Sequence, residues 1–131
     1  MPAFVSIPAS IRTILVSASL AGVGSKIFRD IAPPQTAMPY ITISDELANP
    51  PSLLGDKKVL SRDRLVQISV WQTRQAEDLE LVRQIRILLD GAALDSTELV
   101  YGCRVFDTQR IFDSEHDSVL HSITLRIQQK A

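Results

Sequence analysis

The stretch Arg62-Asp63-Arg64-Leu65-Val66-Gln67-Ile68-Ser69-Val70-Trp71-Gln72-Thr73 decides the fold class. Val66, Ile68 and Val70 alternate with Gln67, Ser69, Trp71 and Thr73, the two-residue period of a strand with one apolar face. The period then changes. Gln75-Ala76-Glu77-Asp78 puts acidic residues where a helix N-terminus favours them. Leu79, Val82, Ile85 and Leu89 recur at helical spacing, a stripe widened by Leu81 and Leu88, with Arg83 and Arg86 outside it. Asp90-Gly91 ends the helix.

The same reading extends outward. Towards the N-terminus, Tyr40 to Asp45 alternates, with Ile41 and Ile43 on one side and Tyr40, Thr42 and Ser44 on the other. Lys26 to Ile31 reads as a short strand, broken from the next by Ala32-Pro33-Pro34-Gln35-Thr36, because proline cannot donate to a sheet ladder. Ile11, Ile14, Leu15 and Ala18 mark a first helix, opened by Pro8-Ala9-Ser10 with Ser10 as its cap and closed near Gly22. Towards the C-terminus, Glu98 to Phe112 reads as a long strand with a bulge at Gly102. Asp113 to Asp117 is a polar turn. Ser118 to Gln128 returns with Val119, Ile123, Leu125 and Ile127 on one face, completing a hairpin.

The order is α-β-β-β-α-β-β. It predicts an α+β domain, a mainly antiparallel sheet of about five strands with two helices packed on one face. Residues 48 to 61 hold Asn49-Pro50-Pro51-Ser52 and Gly55-Asp56-Lys57-Lys58, and read as a long mobile loop in a single domain spanning 1–131.

Composition excludes several classes. The 131 residues suit one domain, and 45% hydrophobic against 22% charged residues is ordinary for a globular chain. A net charge of −1 predicts no general nucleic-acid affinity. The single cysteine, Cys103, leaves no intrachain disulfide or thiolate cluster and suits a reducing cytoplasm. Met1 to Ala21 lacks the pattern of a secretory signal, and no apolar run approaches the ~18 residues that span a bilayer.

No arrangement of residues predicts catalysis or a cofactor. His116 and His121 are five apart, without HExxH spacing, and read as a turn histidine and a sheet histidine. Asp113, Glu115 and Asp117 crowd one turn but lack the EF-hand spacing. Gly22-Val23-Gly24-Ser25-Lys26 follows a helix rather than a strand and is no phosphate loop. Lys57, Lys58, Arg62 and Arg64 are diluted by Asp56 and Asp63 and read as solvated. The one enzymatic alternative is a small-molecule site near Cys103 and His121, paired across the hairpin as nucleophile and base. An isolated strand cysteine is more often a small buried hydrophobe.

One face of the sheet has nothing to cover it. Thr42, Ser44, Gln67, Ser69, Ser122, Thr124 and Gln128 are small or uncharged and polar, and two helices cover only the apolar side. Plain solvent exposure explains such a face. Trp71 and Tyr40 project from the same side, which favours an interface with another subunit.

In sequence order, these segments resemble the phage tail-completion family of small proteins, which includes tail terminators and tail-to-head joining proteins. The resemblance runs from about Ile11 to Gln128. It is carried by Lys26-Ile27-Phe28, Ala32-Pro33-Pro34-Gln35, Met38-Pro39-Tyr40-Ile41-Thr42-Ile43, and Arg64-Leu65-Val66-Gln67-Ile68-Ser69-Val70-Trp71. The helix with Ala76-Glu77, Val82-Arg83 and Leu89-Asp90-Gly91, and the hairpin with Phe112-Asp113 and His121 to Leu125, complete it. It implies a non-enzymatic virion subunit forming a ring, hexameric by the family pattern, at the head-proximal end of the tail tube. Its implied partners are copies of itself, the tube protein and the head-tail connector, with DNA passing through the lumen unread. The resemblance carries no binding residues. The expected contacts are Asn49, Ser52, Leu53, Leu54, Asp56, Lys57 and Lys58 in the loop, Gln67, Ser69 and Trp71 on the polar face, and Asp113 and Glu115 in the turn.

Overall fold

The computed structural model describes residues 7–20, 22–45, 52–53, 59–92, 94 and 100–130. Its elements are α1 (Ile7–Ser17), β1 (Ile27–Arg29), β2 (Tyr40–Asp45), β3 (Ser52–Leu53), β4 (Val59–Thr73), α2 (Leu79–Leu89), β5 (Val100–Asp113) and β6 (Ser118–Lys130). A 3-10 turn, Arg74–Ala76, joins β4 to α2. The sheet runs β1-β2-β4-β6-β5, with β3 paired to the start of β4. Only the β1–β2 pair is parallel; the remaining pairs are antiparallel. The α+β class, the five-strand path and the order of elements are those the sequence predicts.

The alternating apolar positions explain why the layers meet. Ile41 and Ile43 of β2, Val66, Ile68 and Val70 of β4, and Ile123, Leu125 and Ile127 of β6 lie side by side on one face, each at most 1% exposed. Helix α1 packs over β1 and β2, and α2 over β5 and β6. Ile7, Ile11 and Leu15 join Leu81, Val82, Ile85 and Leu89 in one core with the sheet. Burying each such side chain contributes about 1.5–3 kcal/mol.

Several boundaries differ from expectation for local reasons. Ser10 lies inside α1 and is buried, so it is not the cap. The helix ends at Ser17, where Ser19 takes a left-handed φ of 51°, ahead of Gly22. At Gly22 a side chain would stand 3.2 Å from Pro39, and φ is 77°, so both space and backbone call for glycine. Helix α2 starts later than predicted, because Asp78 is its cap: the carboxylate accepts from the N–H groups of Glu80 (3.0 Å) and Leu81 (3.3 Å). Leu79 then falls at the first helical position, 65% exposed, and Leu81 replaces it in the core. Strand β5 has irregularities at Val100/Gly102, as predicted, and also at Val105/Asp107. Within 48–61, Ser52–Leu53 form β3 and β4 begins at Val59, so part of the expected loop is strand. Residues 48–51 and 54–58 lie outside the described residues.

Candidate assembly surface

The face of the sheet away from the helices is organised in rows. One row crosses four strands as Tyr40, Trp71, Leu120 and Ile111. The next is Thr42, Ser69, Ser122 and Gln109, and the third is Ser44, Gln67, Thr124 and Asp107. No described helix lies over them, yet Thr42, Ser69 and Ser122 are only 6–7% exposed. Their neighbours shield them. Trp71 Nε1 donates to Thr42 Oγ1 at 3.3 Å, and Gln67 Nε2 donates to Ser122 Oγ at 2.6 Å. Tyr40 stacks on Trp71 with ring centroids 6.0 Å apart, and Phe28 meets Tyr40 edge-on at 6.4 Å. The small residues in the middle of this face are thus shielded by their own neighbours, which are themselves half-buried or exposed. The face is an internally hydrogen-bonded surface edged by an aromatic row.

At the other end of the face, a groove of about 480 Å³ is lined by Gly102, Arg104, Val105, Phe106, Arg126 and Gln128. Arg104 and Arg126 stand directly opposite each other in the β5–β6 register.

On the helix side, a polar lock ties the hairpin to the start of α2. His121 continues the buried face of β6 and is 4% exposed. Its Nε2 lies 2.7 Å from Glu77 Oε2. Arg110, its cross-strand neighbour, donates from Nε and a terminal nitrogen to both Glu77 oxygens at 2.8 and 2.9 Å. The Arg110 hydrogen bonds, helped by His121 and opposed by burial, hold the Glu77 carboxyl down at about 2. The same bonds raise the pKa of Arg110. Gln72, 2% exposed, donates to Asp78 O at 3.2 Å nearby. Neither Glu77 nor Arg110 is among the predicted site residues. The signal for them is the polar residue His121, interrupting the apolar alternation from Val119 to Ile127.

The predicted contacts fall in three places. Asn49, Leu54, Asp56, Lys57 and Lys58 lie outside the described residues, and Ser52 and Leu53 are placed by their backbone alone. Leu53 pairs with Val59, twelve positions along β4 from Trp71, or ~40 Å at strand rise. Gln67, Ser69 and Trp71 share the open face. Asp113 and Glu115 sit in the turn at the Trp71 end. There Asp113 Oδ2 is 2.8 Å from His116 Nδ1, and Asp113 Oδ1 accepts the Glu115 N–H at 3.1 Å. Asp113, Glu115 and His116 come close enough to share a cation. However, His116 already lowers the carboxyl pKa of Asp113, and Asp113 raises that of His116; the pairing is exposed and local.

Cys103 and His121 do not form the nucleophile–base pair considered from sequence. Cys103 stands opposite Ile127, six residues from His121, ~20 Å away along β6. Its thiol donates to Leu89 O at 3.4 Å, and burial, with Asp90 nearby, pushes it up to about 11. Both side chains face the helix layer, so neither belongs to the open face.

The fold is one used in a virion. A chain of the solved structure described as the virion of a native gene transfer agent particle matches with a TM-score of 0.69 and 16% identity over 96% of each chain. The family follows from the sequence itself. Residues 10–130 match the family model described as Tail completion protein gp17, and the chain belongs to that family. It is therefore a structural component of a phage tail, as the resemblance in its sequence implies. No curated protein matches it. Among the described residues, no helix is long and apolar enough to cross a membrane.

Proposed function

We propose that the chain forms a ring, hexameric by the family pattern, at the head-proximal end of the tail tube. The ring stops tube growth and presents the surface that the head connector joins. The role is geometric and needs no catalysis or cofactor. One ring face matches the last tube ring; the other accepts no further tube subunit. Head-to-tail contacts close into a ring when their rotation completes a circle.

The observation that best supports this reading is the open sheet face. It is tied together by the Tyr40–Trp71 stack and the Thr42 and Ser122 hydrogen bonds, without a covering layer among the described residues. Preformed surfaces lose little freedom on docking. The loop residues Asn49 to Lys58, the Gln67–Ser69–Trp71 face and the Asp113–Glu115 turn are proposed contacts with neighbouring subunits, tube or connector. DNA would pass the lumen without sequence-specific contact, in keeping with a net charge of −1. The test is assembly without this chain. Tails should overgrow or fail to join heads, and adding the purified protein should restore joining. Tails of normal length that join heads in its absence would end the proposal.

A further inference from the structure

The two ends of the sheet differ in how they are finished, and this bears on how copies meet. Along its first half, the outer edge of β5 is covered. Gly91 N–H donates to Cys103 O at 2.7 Å, and Asp90 Oδ1 accepts the Val105 N–H at 3.1 Å. Beyond the irregularity at Val105/Asp107, no described element lies against this edge. There the large apolar side chains Phe106 (63%), Ile111 (47%) and Phe112 (46%) are exposed. A long, open edge with exposed apolar groups is a docking edge unless it is blocked.

The opposite end of the sheet is β1. Following the register across the sheet, Ile27, Phe28 and Arg29 lie level with Arg110, Gln109 and Thr108. The three-residue strand therefore stands at the height of the open half of β5. Strand directions agree as well. Continuing the sheet into a second copy in the same orientation sets β5 antiparallel to the next β1, the more stable of the two pairings. Ile31, 81% exposed, lies two residues beyond the end of β1.

Charge is complementary between the two ends. Around β1 stand Arg12, Lys26 and Arg29, with Asp30 the acidic exception. On the open half of β5 and its turn, Arg110 is held by Glu77, Asp113 by His116 and Asp117 by Arg74, which leaves Asp107 and Glu115 to present the acidic charge. The β1 backbone is largely engaged locally. Ile27 O accepts from Arg12 Nε at 2.9 Å, Ile27 N–H donates to Ser25 O, and Arg29 O accepts from Ile31 N–H. Side chains must therefore carry the contact rather than a full ladder.

We infer that the open half of β5, Phe106 to Asp113, docks against β1 and Ile31 of a second copy of this chain. The contact is head-to-tail: each subunit offers β5 to one neighbour and β1 to the other. It rests on the ring reading and names the junction from which that ring is built.

The test is cross-linking in the assembled full-length protein. Phe28→Cys and Gln109→Cys lie level with each other on the open face, and Cys103 is buried and does not compete. Treated with a short bismaleimide, the double variant should give a ladder of covalent species ending at the subunit number of the ring. Each single variant alone should give at least about ten-fold less, since ring neighbours meet at roughly millimolar effective concentration. Rings visible by electron microscopy with no ladder overturn the β5–β1 junction and leave the ring reading intact. A wild-type protein that forms no ring, free or on tail tubes, overturns the ring reading and this junction with it.

Discussion

At the residue scale, Glu77 is the most consequential side chain that sequence reading passes over. Its partner His121 is 44 residues away, and no local period relates the two. The sequence marks the face on which His121 sits, because it falls between Val119 and Ile123. It does not reveal what satisfies a polar group there. The lock has a measurable consequence. The carboxyl pKa of Glu77 is depressed from 4.5 to about 2, so the stability it contributes is complete above 4.5 and is lost as pH falls towards 2. Urea unfolding midpoints should therefore drop in that window. Glu77→Gln should flatten the drop and cost about 1–2 kcal/mol at neutral pH. An unchanged acid profile in the variant would show that other carboxylates govern acid unfolding.

Trp71 offers a second residue-scale readout, because it is the only tryptophan. Its indole is half-buried and edges the open face. If that face is covered on assembly, its emission should shift to the blue when rings or capped tubes form. Emission that stays fixed through assembly would place the interface elsewhere. The pattern of Val66 to Thr73 made its facing legible. The stack with Tyr40 was not, since it depends on the β2–β4 register.

At the element scale, β4 was legible because it alternates without interruption, and α2 because its stripe is strong. Ile68, fully buried between Ile43 and Ile123, should cost about 2–5 kcal/mol on change to Ala. The start of α2 was harder to read. Four polar or small residues precede Leu79, and only the carboxylate geometry of Asp78 selects the cap. Asp78→Ala should lower stability by about 1 kcal/mol, measured by thermal unfolding, with the fold retained. The second β5 irregularity left no sequence signal, as no glycine marks Phe106. The residue it leaves unpaired, Phe106, is exposed and lines the groove next to Arg104 and Arg126. Within 48–61 the proline and glycine content predicted loop, while the pairing of Ser52–Leu53 with Ser61 and Val59 of β4 is a short-range register that composition does not encode.

At the scale of the whole molecule, order and patterning gave the α+β class and the family, and the family gives the tail. The ring and its contacts are another matter. They belong to surfaces between copies, which one chain's periodicity does not describe. What the single subunit contributes is a sheet with one face closed by helices, a second face left open among the described residues, and two unlike ends. That asymmetry suits head-to-tail closure rather than a two-fold dimer.

The most direct measurement is electron microscopy of isolated tail tubes incubated with the purified protein and excess tube subunit. The account predicts one ring seated at a single end of each tube, with elongation halted there. Tubes that keep both ends bare and continue to lengthen would contradict it.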